Sequence, residues 1–208
     1  MVPAAGGRQA PAQALPETDE LRTLLQERLV APALPDARVR EIHAGNVRRR
    51  DGSRGTAQYE LELEDVVTGR VWRQGVSGVV FGGDRTSRVW QTLRPAVEAQ
   101  AAAATTPELP PFAYLPELDM LIQVFPHDHR LPGLARLMSD LPVEISAALL
   151  TRFGPGDWQL TGAAAEVVQY RVDMRATLRL DLRILVLTAR MAVTGHGLYR
   201  GETGGWRG

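Results

Sequence analysis

The amino-acid sequence predicts an α+β fold: two small antiparallel β-meanders with a few packed helices. Three observations predict it. Each half holds a segment that alternates apolar and polar residues with the period of a half-buried strand, 56–64 in the first and 175–186 in the second. Leucines near the start recur with helical spacing instead. The halves also echo each other, because VSGVVFGGDR at 76–85 and VTGHGLYRGE at 193–202 each follow an alternating strand.

In chain order, residues 1–16 are rich in Pro, Gly and Ala and read as a disordered tail. Leu21, Leu24, Leu25 and Leu29 follow the spacing of an amphipathic helix, with Thr18 or Asp19 as its cap. In TAQYELELE at 56–64, Ala57, Tyr59, Leu61 and Leu63 share one face, and Thr56, Gln58, Glu60, Glu62 and Glu64 share the other. Asp51-Gly52 and Thr68-Gly69 supply turns on either side. Val71 to Phe81 gives the next strand, and Asp84 caps a helix running toward Pro95. The stretch 99–111, rich in Ala, Thr and Pro, reads as a linker between a first α+β unit, 17–98, and a second, 112–208. Asp119 to Phe125 is apolar enough for a buried strand. Asp140-Leu141-Pro142 opens a helix with Ile145, Leu149 and Phe153 inward and Gly154 closing it. Residues 166–172 and 175–186 form a hairpin whose second arm sets Ala176, Leu178, Leu180, Leu182 and Ile184 against Thr177, Arg179, Asp181 and Arg183. A further strand, Arg190 to Tyr199, follows.

Composition narrows the function. With 208 residues, 44% hydrophobic and 23% charged, the chain buries an ordinary globular core. No stretch approaches the roughly 20 apolar residues of a membrane span. The N-terminus lacks the apolar run of a signal peptide, so the expected location is cytoplasmic. Cysteine is absent, which excludes disulfides, zinc–thiolate sites and thiol catalysis. The net charge of zero gives no pull toward nucleic acid or an anionic membrane. Arg48-Arg49-Arg50 with Arg54 is a small basic cluster, but Glu60, Glu62 and Glu64 follow closely and no aromatics interleave, so it reads as a solvated hairpin tip. Lysine is absent too: all 24 basic residues are arginine, and asparagine occurs only at Asn46.

A Walker-type phosphate loop is impossible without lysine. Val76-Ser77-Gly78 lacks the Gly-x-Ser-x-Gly elbow of a serine hydrolase and reads as small residues in a strand. His127 and His129, two apart after Pro126, invite a shared metal, but spacing identifies no third ligand. Asp128 between them fits better as the cap of the turn into Leu131-Pro132-Gly133. Trp72, Trp90 and Trp158 read as packing residues, and Trp206 as an exposed one.

The most suggestive segment is VQYRVDMRATLRLDL at 168–182, followed by VTGHGLYRGE. It resembles the start of the aminoglycoside phosphotransferase-like small-molecule kinases. Their pattern runs Tyr, Arg, Pro-Gly, Arg and an alternating strand, then a third strand of the type Gly-Lys-x-Tyr-Arg. Tyr170, Arg171, Arg175 and Leu178 match the first part, with Val172-Asp173 in place of Pro-Gly. Gly195, Tyr199 and Arg200 match the second, with His196 where the lysine stands and one extra residue before the tyrosine. Phe125-Pro126-x-Asp128-x-x-Leu131-Pro132-Gly133-Leu134 resembles a segment preceding the kinase lobe in some of these proteins. The resemblance covers roughly 115–205, about half the chain.

The resemblance implies a kinase-like N-lobe sheet in the second unit, with ATP and magnesium as cofactors of the whole enzyme and Arg171, Arg175 and His196 as the nucleotide-contacting positions. Such a kinase uses a lysine on the phosphates, an aspartate beside the substrate hydroxyl, and Asn and Asp on magnesium. This chain has no lysine and no His-Gly-Asp loop followed by Asn. His127-Asp128-His129-Arg130 only superficially resembles that loop, with Gly at 133. The expectation is therefore an amino-terminal portion without catalytic residues. Its partner is a missing C-terminal kinase lobe, or a second copy joined through an exposed sheet. The alternative is a non-catalytic binding module of two related α+β units.

Overall fold

The computed structural model describes residues 18–50, 54–139, 148, 151, 158–186 and 193–195. The leucine-spaced segment forms helix α1, Thr18–Leu25, which passes through one π turn, Gln26–Val30, into the short helix α2, Ala31–Ala33. Leu21, Leu25, Leu29 and Val30 are all at most 1% exposed. An α-helix turns once in about 3.6 residues, so a repeated spacing of four drifts off one face. The wider π turn takes up that drift and delivers Leu29 and Val30 to the same core.

Strands β1 (Ala37–Arg50), β2 (Arg54–Asp65) and β3 (Val71–Val80) form a meander. Helix α3 (Arg85–Ala103) follows, then β4 (Phe112–Leu115) and β5 (Met120–Val124). All five strands make one antiparallel sheet, in the order β1-β2-β3-β5-β4. Ala57, Tyr59, Leu61 and Leu63 are buried, as the alternation requires, and share a core with the α1 leucines, Val76, Ile122 and Val124. The opposite face divides. Over β4 and β5 lies α3, with Val97 buried and Trp90 stacked on Tyr114 at 6.4 Å. Over β1 and β2, Glu60, Glu62 and Glu64 pair across strands with Arg73, Arg40 and Arg38. Covered on both faces, every residue of β5 is buried, and its sequence is correspondingly apolar.

Two expectations are corrected. Helix α3 runs through Pro95 to Ala103, so the start of the 99–111 stretch is helix. Alanine is the strongest helix former, and it carries the helix past the one bond that the proline removes. Beyond that stretch, β5 pairs with β3 from Val76↔Val124 to Val79↔Leu121. The two compact units are therefore Met1–Phe125 and Pro126–Gly208, divided neither at 98 nor at 112. Composition marks where a chain lacks strand residues, but not which sheet the next strand will join.

At the turns, Gly69 takes φ 71°, and Asp65 Oδ1 accepts the N–H groups of Val67 and Thr68, each at 2.9 Å. Asp84 sits at the N-cap of α3 but makes no cap bond; it pairs with Arg88 instead, at 2.7 Å. Asp51-Gly52 lies outside the described residues.

The second unit contains α4 (Gly133–Ser139) and the antiparallel strands β6 (Trp158–Arg171), β7 (Arg175–Val186) and β8 (Val193–Gly195), in the order β6-β7-β8. Strand β6 begins at Trp158, earlier than residue 166. Register shifts at Leu160/Gly162 and Val167/Gln169 break the alternation by which a strand is recognised. Most of the helix expected from Asp140 onward, and the remainder of the strand expected at 190–199, including His196, lie outside the described residues. Among the described residues no helix is long and apolar enough to cross a membrane.

Candidate functional site

Arg171 ends β6 and Arg175 opens β7, directly opposite each other. Between them Val172, Asp173 and Met174 turn the chain, and the Met174 N–H donates to the Arg171 carbonyl at 3.0 Å. Asp173, the third residue of that turn, has φ 57°. Type II turns need positive φ at the third position and favour Gly there, with Pro before it. An aspartate tolerates this conformation better than most residues, at a cost of about 1 kcal/mol.

The turn is held from outside by Asp128, which is 1% exposed. Its Oδ1 accepts the N–H groups of Arg130 and Leu131, at 2.8 and 3.1 Å, which is the local cap expected from the sequence. Its Oδ2 accepts the Tyr170 hydroxyl at 2.8 Å and the Asp173 N–H at 2.7 Å. His129 completes the group, with Nδ1 2.9 Å from Oδ1 of the fully buried Asp173 side chain. One carboxylate thus joins the segment after β5 to the residues on both sides of Arg171.

The fold supplies what spacing did not: ligand atoms of Asp128, His129 and Asp173 lie within 4.8 Å of one another. Their chemistry still does not favour a metal. Four donors already occupy the roughly four acceptor directions of the Asp128 carboxylate. Asp173 Oδ1 is engaged by His129 and closed to solvent. A cation entering here would have to break buried hydrogen bonds. The cluster is an anchor for the turn.

Arg171 and Arg175 present the charge. Within the same hairpin Glu166 stands opposite Arg179 and pairs with it, the favourable arrangement of a cross-strand pair. Arg171 opposite Arg175 is the unfavourable one, and among the described residues neither makes an ion pair. Arg171 is half-buried, and its Nε is buried without a hydrogen-bond acceptor. The site is therefore an anchored turn with two arginines directly opposite each other at its base.

Other candidates fall elsewhere. Ser77 is buried in β3 opposite Gln123, with no exposed nucleophile. Arg54 joins Arg85 over the Phe81 ring, at 5.2 and 5.4 Å, so this member of the basic cluster packs against the sheet end. Sequence reasoning missed Tyr170 and Asp173 as partners of Asp128. Compared with family models, curated proteins and solved structures, the chain matches none.

Proposed function

We propose that the second unit is part of the amino-terminal lobe of an ATP-dependent small-molecule phosphotransferase similar to the aminoglycoside phosphotransferases. The chain would not turn over substrate alone. The observation that carries this reading is the β6–β7 turn: positive φ at Asp173 falls where the family pattern has the Gly of Pro-Gly. The consecutive antiparallel order β6-β7-β8, expected of the first strands of such a lobe, supports it as well.

In phosphoryl transfer the protein mostly positions groups and neutralises charge, and a hairpin turn of this lobe covers the nucleotide phosphates. Arg171 and Arg175, opposite each other at the base of the turn, are the residues this reading assigns to that role. ATP would bring the phosphoryl group and magnesium its counter-charge. The phosphate-binding lysine, the base and the metal-holding residues are not in this sequence; His196 stands at the lysine position. The base and the metal-holding residues would come from a C-terminal lobe, the partner this reading implies.

The test is calorimetric titration of the full chain with ATP and magnesium at low salt, alongside an Arg171→Gln, Arg175→Gln double variant. Removing two charge-assisted contacts should weaken binding by about tenfold or more. Absence of saturable ATP binding by the unaltered chain at millimolar nucleotide would remove the reading and leave the non-catalytic binding module.

A further inference from the structure

We infer that Asp128 is a positioning residue for polyphosphate recognition, an inference that rests on the phosphotransferase reading above. It holds the β6–β7 turn in the one conformation that sets Arg171 and Arg175 side by side against a triphosphate.

The argument starts from the cost of the turn. Two guanidinium groups directly opposite each other repel, and Asp173 occupies a backbone conformation that L-residues avoid. Left to its own preferences, this tip would open. Asp128 opposes that by bonding Tyr170, just before Arg171, and the backbone of Asp173, just after Val172. Val172 itself is buried at 8% exposure, so its side chain helps seat the tip. His129 restrains the Asp173 carboxylate at the same point. Arg171 lies between anchored residues and Arg175 stands opposite it in the strand register, so the turn that joins them is held before a ligand arrives. Preorganisation of this kind is worth most to a multiply charged ligand that must meet both cations at once.

Asp128→Asn separates this role from folding. One amide oxygen remains for the Arg130 and Leu131 N–H groups, so the local turn survives. The amide NH₂ then faces the Tyr170 hydroxyl and the Asp173 N–H, and cannot accept from either. Two readouts are taken on the full chain. The first is affinity for ATP with magnesium and for adenosine. ATP binding should weaken about tenfold or more while adenosine binding stays unchanged, because only the phosphates meet the arginines. The second is amide hydrogen exchange at Asp173 and Met174, which should accelerate about ten- to a hundredfold on loss of a bond to a charged acceptor. Amide exchange along the paired residues of β6 and β7 away from the turn serves as the folding control for this unit and should not move.

Unchanged ATP affinity with accelerated exchange would overturn the positioning role, since the turn would then be anchored without consequence for phosphates. Equal losses for ATP and adenosine would also overturn it, by showing damage to the whole site. If the unaltered chain binds no ATP, the phosphotransferase reading fails and the positioning role with it. The exchange measurement then separately decides the anchor itself: unaltered exchange at Asp173 would refute it.

Discussion

Gly78 lies in β3, paired with Ile122 of β5 on one side and Ala57 of β2 on the other. A Cβ added there would sit 2.5 Å from Met120 Sδ, 3.3 Å from its Cγ and 3.4 Å from its Cε. Carbon contacts settle near 3.5–4.0 Å, so the sulfur must retreat by about 1 Å. Met120 is 1% exposed, inside a packed core. Overpacking of this kind costs about 1–3 kcal/mol, and methionine, being flexible, falls toward the low end. Alanine recovers about 0.5–1 kcal/mol of the backbone entropy that glycine loses on folding. Gly78→Ala should therefore destabilise the first unit by about 1 kcal/mol. Met120→Ala alone should cost about 2–5 kcal/mol through lost burial and a cavity. The new methyl group would occupy part of that cavity, so the double variant should be more stable than the sum of the single losses by about 1 kcal/mol. Urea denaturation gives the free energies, and hydrogen exchange at β3 and β5 amides assigns them to this unit. Additivity within about 0.5 kcal/mol, or a Gly78→Ala variant more stable than the parent, would refute the steric account.

Two more predictions concern the first unit. Gln26 ties the helical segment to β1: its Oε1 accepts the Val39 N–H at 2.7 Å and its Nε2 donates to the Ala37 carbonyl at 3.1 Å. Gln26→Ala should cost about 1–3 kcal/mol and accelerate exchange at Val39, measured by urea denaturation and amide exchange. Burial, the hydrogen bond to Asp119 Oδ1 and the nearby charges of Asp119 and Glu117 push Tyr114 up to about 12. A tyrosine free in the unfolded chain ionises near pH 10, so the native state keeps this proton longer. Its contribution to stability is complete below about pH 10 and disappears as pH rises from about 10 toward 12. Titration by tyrosinate absorbance should show a late step that Tyr114→Phe removes. Denaturation of that variant should depend less steeply on pH across the same window.

Local codes were legible and long-range pairings were not. The alternation at 56–64 assigns every inward residue of β2, because side chains in a strand change face at each step. The Asp128 cap was legible for a similar reason, since it joins residues two and three apart. The same carboxylate bonds Tyr170 and Asp173, 42 and 45 positions away, and nothing in DHRL names those partners. Strand β5 was recognisable as buried, but pairing uses main-chain groups common to all residues. The sequence around Met120–Val124 therefore could not say that β3 would be its neighbour. The helical leucines were visible, whereas the π turn was not: it is the backbone's accommodation to a spacing that an α-helix alone would misalign.

The two sheets differ in how well their local choices agree. In the first, each glutamate from Glu60 to Glu64 on the outer face meets an arginine across a strand, and Gly78 stands where a neighbour leaves no space. In the second, the β6–β7 turn gathers three locally unfavourable features. An aspartate takes a positive φ, two arginines oppose each other, and two buried carboxylates lie close together beside one histidine. Chance disagreement would be scattered, but these three converge on five residues, Asp128, His129, Arg171, Asp173 and Arg175, around the bonds that Asp128 makes. Strain that is gathered at one place and anchored from outside marks a site shaped by something other than its own stability. A polyphosphate would relieve the one feature that the anchor cannot, the opposed positive charge of Arg171 and Arg175. On the proposed phosphotransferase reading, nucleotide affinity, more than thermal stability, is the quantity on which this turn should be judged.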